Sequence, residues 1–295
     1  MIPHAAPLEH HPVSRLDPRR IRRALGRAAP VETDDFLAFI DRQLVERASE
    51  IRIEPKRILE LARVPGHAAR LLQAQYPDAW VTSLGLAKPH AEGHSLRASP
   101  EQRLPMILVG DPVRLPFPAD CFDLVIANLT LHWSADALRA VKELRRVLKP
   151  GAPLLLATMG PATLGECRTI LAEIDLAHHG RVWTRIQEFH SLPDLGDLLG
   201  IAGLSRAVVD REMLKPRFAD VESLLYELRR IGATNAQRQR PAGLMGKGTI
   251  RELEQRYRQQ YGNVQDQTVP VTLEILFGHA WKSSSVAVDR HQPIS

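Results

Sequence analysis

Gly110-Asp111-Pro112-Val113-Arg114-Leu115-Pro116-Phe117, followed by Phe122-Asp123-Leu124-Val125-Ile126-Ala127-Asn128, decides the fold of this chain. A short acidic turn leads to Leu-Pro-Phe, then to an acid and a continuous apolar run. Such a run reads as a strand buried on both faces of a sheet. Polar residues placed just past the carboxyl ends of such strands are where an open α/β sheet meets its ligands.

Outward from that stretch, apolar runs and helical periodicities alternate. Residues 57–61, 80–84, 106–109, 123–129 and 153–158 read as five strands. Residues 66–75 and 135–148 read as helices, the second stopped by Lys149-Pro150-Gly151. Residues 88–105 read as a polar loop. This alternation predicts an α/β fold with a doubly wound, mostly parallel sheet. Upstream, residues 34–50 form an amphipathic pattern with Phe36, Leu37, Phe39, Ile40, Leu44 and Val45 near one face. Downstream, helices are expected over 163–175, 194–203, 221–231 (closed by Gly232) and 248–261, with strands over 208–214 and 269–280. The organisation expected is a disordered tail over 1–14, N-terminal helices over 15–50 and a cofactor-binding core over 51–160. A helical lid with a returning strand covers 161–281, and a flexible tail covers 282–295.

A length of 295 residues can bury a sizeable core. Cys121 and Cys167 form no CxxC, so both read as buried thiols of a protein kept in a reducing, cytoplasmic setting. The longest apolar runs, such as Leu154-Leu155-Leu156-Ala157, are too short to span a bilayer. The N-terminus lacks the apolar segment of a secretory signal. His4, His10 and His11 read as a solvated tail, and no metal constellation is evident. The net charge of +5 suits an acidic protein, an anionic membrane or nucleic acid. Arg229, Arg230, Arg238, Arg240, Lys247, Arg251, Arg256 and Arg258 face only Glu252 and Glu254 within their segment. Few aromatics interleave with them, which argues against single-stranded nucleic acid. Arg19, Arg20, Arg22, Arg23 and Arg27 make a second basic stretch. It has the composition of a transit peptide, but it runs straight into more helical sequence and reads better as a helix.

As one ordered set, Asp111, Leu115-Pro116-Phe117, Phe122-Asp123-Leu124-Val125 and Leu131-His132-Trp133 resemble the class I S-adenosylmethionine-dependent methyltransferases. The resemblance is to the malonyl-acyl-carrier-protein O-methyltransferases of biotin synthesis, and to their sister type, the complex I assembly factors. Ala24-Leu25-Gly26-Arg27-Ala28-Ala29 and Leu228 to Asn235 are similar to the first, and Pro193 to Leu204 to the second. It extends from about Asp17 to Trp281. It implies S-adenosylmethionine as cofactor and an acidic acyl carrier protein as partner.

The resemblance also assigns positions. The family's acid-x-Gly-x-Gly-x-Gly turn falls on Glu60-Leu61-Ala62-Arg63-Val64-Pro65-Gly66. Glu60 would receive the cofactor's amino group, with Ala62 and Gly66 keeping the turn open to it. Val64 resists the φ > 0 that glycine allows and narrows the pocket. Arg63 is expected to turn to solvent or to pair with Glu60, because a cation opposes a sulfonium. The acid for the ribose hydroxyls falls on Gly85. The missing contact costs roughly 1–3 kcal/mol, about ten- to a hundred-fold in affinity. Asp111 and Pro112 would meet the adenine, and Asn128 would line the cofactor. His132 and Trp133 would line the methyl-transfer centre, with a structural hydrogen-bonder and a core residue as their plainer readings. Arg229, Arg230 and Arg238 would hold the carrier or its arm.

The reaction implied is transfer of the activated methyl to a malonyl carboxylate, which needs alignment and dryness but no general base. A second reading is a degenerate fold with weak or no cofactor binding, acting as an assembly or regulatory partner; Arg63, Val64 and Gly85 are its basis. A hydroxylase-like activity of the sister type is a third. Nucleic-acid methylation is disfavoured, because Asn128-Leu129-Thr130-Leu131 is not the Asn/Asp-Pro-Pro-Tyr/Phe sequence that chemistry usually shows.

Overall fold

The computed structural model describes residues 16–27, 35–63, 65–87, 103–238, 245–263, 265 and 267–284. The tail over 1–14, most of the loop over 88–105, Val64, Arg240 and the residues after Ser284 lie outside the described residues.

Five parallel strands come first: β1 (Arg57–Ala62), β2 (Trp80–Gly85), β3 (Met106–Val109), β4 (Leu124–Asn128) and β5 (Pro153–Met159). Four more follow: β6 (Leu204–Leu214), β7 (Arg217–Phe218), β8 (Val269–Pro270) and β9 (Leu273–Lys282). The main sheet has the order β3-β2-β1-β4-β5-β9-β6, and β9 runs antiparallel to both neighbours. The strand expected over 269–280 is thus two pieces, with only the second in the main sheet. The strand expected at 208–214 begins earlier, at Leu204.

The inner strands form because their runs are apolar on both faces. Alternate residues go to opposite sides. Leu59, Leu61, Val125, Ala127, Leu154 and Leu156 pack on one face with Val141 and Leu144 of α4 (Ala137–Val147) and Leu195, Leu198 and Leu199 of α6 (Leu192–Ile201). Ile58, Leu124, Ile126 and Leu155 pack on the other with α2 (Asp35–Ser49) and α3 (His67–Gln75). The stripe Leu37, Ile40, Leu44 and Ala48 supplies the face of α2. Asp136 caps α4, and Ser191 with Asp194 forms a capping box on α6.

A third layer stands over the carboxyl ends of the strands. It consists of α5 (Gly165–His179), α7 (Val221–Arg230), α8 (Lys247–Tyr261) and the β7–β8 ribbon. Leu164, Ile170, Leu224, Leu253 and Tyr257 hold it together, with Cys167 buried among them. Cys121 is buried in the sheet core. An N-terminal helix, α1 (Pro18–Leu25), is capped by Asp17 and packs separately.

Candidate functional site

The strand order reverses between β1 and β4, and the crevice beyond their carboxyl ends is where an open α/β sheet binds ligand. Glu60 sits near the end of β1, fully buried. The Ser83 hydroxyl of β2 donates to its Oε2. Burial, together with nearby Asp41, pushes Glu60 up to about 8 despite that hydrogen bond. At the end of β4, Asn128 is also buried, and its Nδ2 donates to Asp41 Oδ1. Asp41 comes from α2, and its Oδ2 lies 2.6 Å from His67 Nδ1 at the start of α3. Glu60 Oε1 and Asn128 Oδ1 are left without a hydrogen-bond partner among the described residues. Two orphaned buried acceptors in one crevice suit a ligand that brings donors, such as an ammonium group.

Gly66 has φ 119° and opens α3, a conformation that costs other residues dearly. Arg63 does neither of the things expected of it. It is 5% exposed, and its Nη1 donates to the Ile231 carbonyl just past α7. The guanidinium therefore ties the loop after β1 to the lid. Its Nη1 meets a lid carbonyl rather than Glu60.

Gly85 ends β2 with no room beside it. A Cβ there would lie 2.8 Å from Pro65 Cγ, closer still to Pro65 Cδ, and 3.0 Å from the Ala87 carbonyl. The proline ring fills the space an acidic side chain would need. Asp111 is exposed and accepts from Val113 N at 3.1 Å, closing its own turn beside Pro112. Leu115 and Phe117 beneath it join the core.

Beyond β4 the chain passes through Leu129, at φ 49°, into a 3-10 turn, Leu131–Trp133. This turn and the lid enclose a mostly apolar cavity of about 930 Å³. Leu129, His132, Trp133, Phe189, Leu224 and Leu228 are among its walls, with Arg63 at the edge nearest β1. Glu60, Gly85, Asp111 and Asn128 do not line it, so the crevice and the cavity are adjoining spaces. His132 Nδ1 is 3.3 Å from Thr158 Oγ1, and the Gln187 amide donates to its carbonyl. Burial, then His190 and Arg63, pushes His132 down to about 3, so its ring is neutral at ordinary pH. Arg229 and Arg230 border the cavity, the latter 2.6 Å from Glu227. Arg238 does not; its Nε reaches the Leu16 carbonyl at 3.5 Å and fastens the N-terminal segment.

Sequence reasoning missed Asp41, His67 and Ser83. Asp41 carried a signal: it falls on the buried stripe of α2, between Leu37 and Leu44.

Residues 59–156 match the methyltransferase domain family model. The chain is a class I methyltransferase by fold, with structural likeness to proteins at low identity. YcgJ protein from Bacillus subtilis superposes with a TM-score of 0.53 at 18% identity, over 83% of this chain and 98% of that one. Haemonchus contortus phosphoethanolamine N-methyltransferase 2, solved with S-adenosylhomocysteine, gives 0.52 at 15% identity, over 89% and 60%. In sequence, the malonyl-[acyl-carrier protein] O-methyltransferase of Halorhodospira halophila is 35% identical over 271 residues, 90% of this chain and 88% of that protein. That of Laribacter hongkongensis is 33% identical, covering 91% of each. The chain belongs to the malonyl-[acyl-carrier protein] O-methyltransferase family. Among the described residues, no helix is long and apolar enough to cross a membrane.

Proposed function

We propose that this chain methylates the free carboxylate of a malonyl group carried by acyl carrier protein, using S-adenosylmethionine, in the synthesis of a biotin precursor. The observation that carries the reading is the pairing of orphaned acceptors, Glu60 Oε1 and Asn128 Oδ1, with an adjoining apolar cavity under the lid. When bound, the cofactor supplies a methyl already activated by its sulfonium for in-line displacement. Glu60 and Asn128 hold its amino end. Asp111 and Pro112 hold its adenine, and Gly66 keeps the turn clear of it. The lid over Trp133 and Phe189 excludes water from the acceptor. His132 stays neutral beside it and neither takes nor gives a proton, which a carboxylate nucleophile does not require.

Calorimetric titration with S-adenosylmethionine and S-adenosylhomocysteine, followed by methyl transfer to malonyl-carrier protein, tests this. Micromolar binding and ester formation are expected. No binding at millimolar ligand would refute it and favour the assembly or regulatory reading, which the Arg63–lid bond and the filled space at Gly85 support.

A further inference from the structure

The carrier protein has to bring its acyl group to the cavity mouth, and some surface beside that mouth has to receive it. Resting on the function proposed above, we infer that the outward face of α1 is the docking surface for an acidic carrier protein.

Four observations converge. Ile21 and Leu25 of α1, with Leu16 just before it, pack against Leu86, Ala87, Trp133 and Ala236. Trp133 is also a cavity wall, so α1 stands on the outer side of that wall. Ile21 and Leu25 lie four residues apart on the buried face, which turns Arg19, Arg20, Arg22 and Arg23 outward. All four are exposed, as is Arg27 beyond the helix. Arg20 alone among them has an acidic partner among the described residues, Asp17 at 3.3 Å, and α1 itself contains no acid.

The segment that follows α7 extends this surface to the cavity. Asn235 lines the cavity, and the next residues carry the Asp17 N to Ala236 O bond of 2.9 Å and the Leu16–Gln237 bridge. Arg238, exposed and fastened to Leu16, therefore sits beside α1, and Arg229 lies on the cavity rim.

The richer basic stretch in the sequence, 229–258, is less available. Arg230 meets Glu227, Arg256 meets Glu252 and Glu173, and Arg258 meets Glu254. Those three of the eight cations are matched within the lid, while Arg229 and Arg238 belong to the surface beside α1. Of the five arginines along and just past α1, only Arg20 meets an acid among the described residues, and exposed charges of one sign steer an oppositely charged protein. The partner they fit is a compact acidic protein that presents a thioester arm to the mouth.

The test compares Arg22→Glu/Arg23→Glu with Lys247→Glu/Arg251→Glu, an equal change of charge on exposed α8 positions. Binding of the full-length protein to acyl carrier protein is read by fluorescence anisotropy across a salt series. Methylation of a small, carrier-free malonyl thioester is read in parallel. Arg22→Gln/Arg23→Gln, with its thermal melt, controls for loss of α1 packing. The expected result is about tenfold or greater weakening of carrier binding, and a shallower salt dependence, for the α1 reversal alone. Methylation of the small thioester should stay unchanged, and the Gln variant should weaken binding to an intermediate degree with an unchanged melt. Equal behaviour of the two reversed variants would overturn the proposal. So would tighter binding of duplex DNA or anionic vesicles through the same arginines. Carrier binding that depends on α1 without any methyl transfer would instead remove the proposed reaction and leave the docking surface standing.

Discussion

Placing an acid at Gly85 looks like a repair of the proposed cofactor site, and the packing says it is not. The Cβ of any residue there meets Pro65 Cγ at 2.8 Å and the Ala87 carbonyl at 3.0 Å, with Pro65 Cδ nearer still. Gly85 pairs with Ala62 and Val109 inside the sheet, so its backbone cannot step aside without breaking register on both sides. Overpacking of this kind costs about 1–3 kcal/mol. Hydrogen bonds from a new carboxylate to a ribose would be worth about 1–3 kcal/mol in binding, but the Pro65 ring fills the space the side chain needs and keeps them from forming. Gly85→Asp should therefore lower Tm by several degrees, at ~2–4 °C per kcal/mol in a domain of this size, without tightening cofactor binding. Pro65→Ala removes the two ring carbons that collide. The double variant Pro65→Ala/Gly85→Asp should recover the Tm loss and bind S-adenosylhomocysteine about tenfold more tightly than the parent. Four thermal melts and four calorimetric titrations close the cycle, with an expected coupling of about 1–3 kcal/mol between the sites. A single Gly85→Asp variant that bound tenfold tighter at unchanged Tm would refute the packing argument.

Glu60 titrates near 8, so at pH 7 it is protonated before a cationic ligand arrives. Cofactor binding should release a proton, seen as buffer-dependent heats, and affinity should rise from pH 6 to 8; Glu60→Gln should abolish both. The same raised value makes the Glu60 contribution to stability full below about pH 4.5 and lost as pH climbs through about 8, so unfolding midpoints should fall across that window in the parent and not in the variant. Asp41→Ala leaves the buried Asn128 Nδ2 and the half-buried His67 Nδ1 without their acceptor and should cost about 2–4 kcal/mol in denaturant unfolding. His132→Phe should keep methyl transfer within about tenfold of the parent, and neither protein should show a histidine inflection near pH 6–7; loss of more than a thousandfold would make the ring part of the chemistry.

The sheet was readable because its inner strands are short apolar runs between turn signals, and each of the five emerges within a residue or two of its expected bounds. What could not be read was placement across distance. Nothing local says that 273–282 slips between β5 and β6, since one alternating strand serves any partner with a free edge. The site divides the same way. Glu60, Asn128 and Asp111 were singled out by the family resemblance, at or just past the ends of strands. The partners that set their chemistry come from elsewhere: Asp41 from α2, Ser83 from β2, and Pro65 set against Gly85. Arg63 was misjudged because its acceptor, the Ile231 carbonyl, lies 168 residues along the chain. Local charge logic offered only water or Glu60.

The late insertion of β9 bears on how the chain is made. β5 is complete at Met159, but the strand that covers its far edge starts only at Leu273. At ~5–20 residues per second, the stretch between them takes roughly 6–23 s to synthesise. For that time the apolar run Leu154-Leu155-Leu156 carries an open strand edge, and β6, already made, has no neighbour to pair with. The nascent protein thus waits on β9, and shortening the chain into that strand should yield aggregates rather than a smaller folded enzyme.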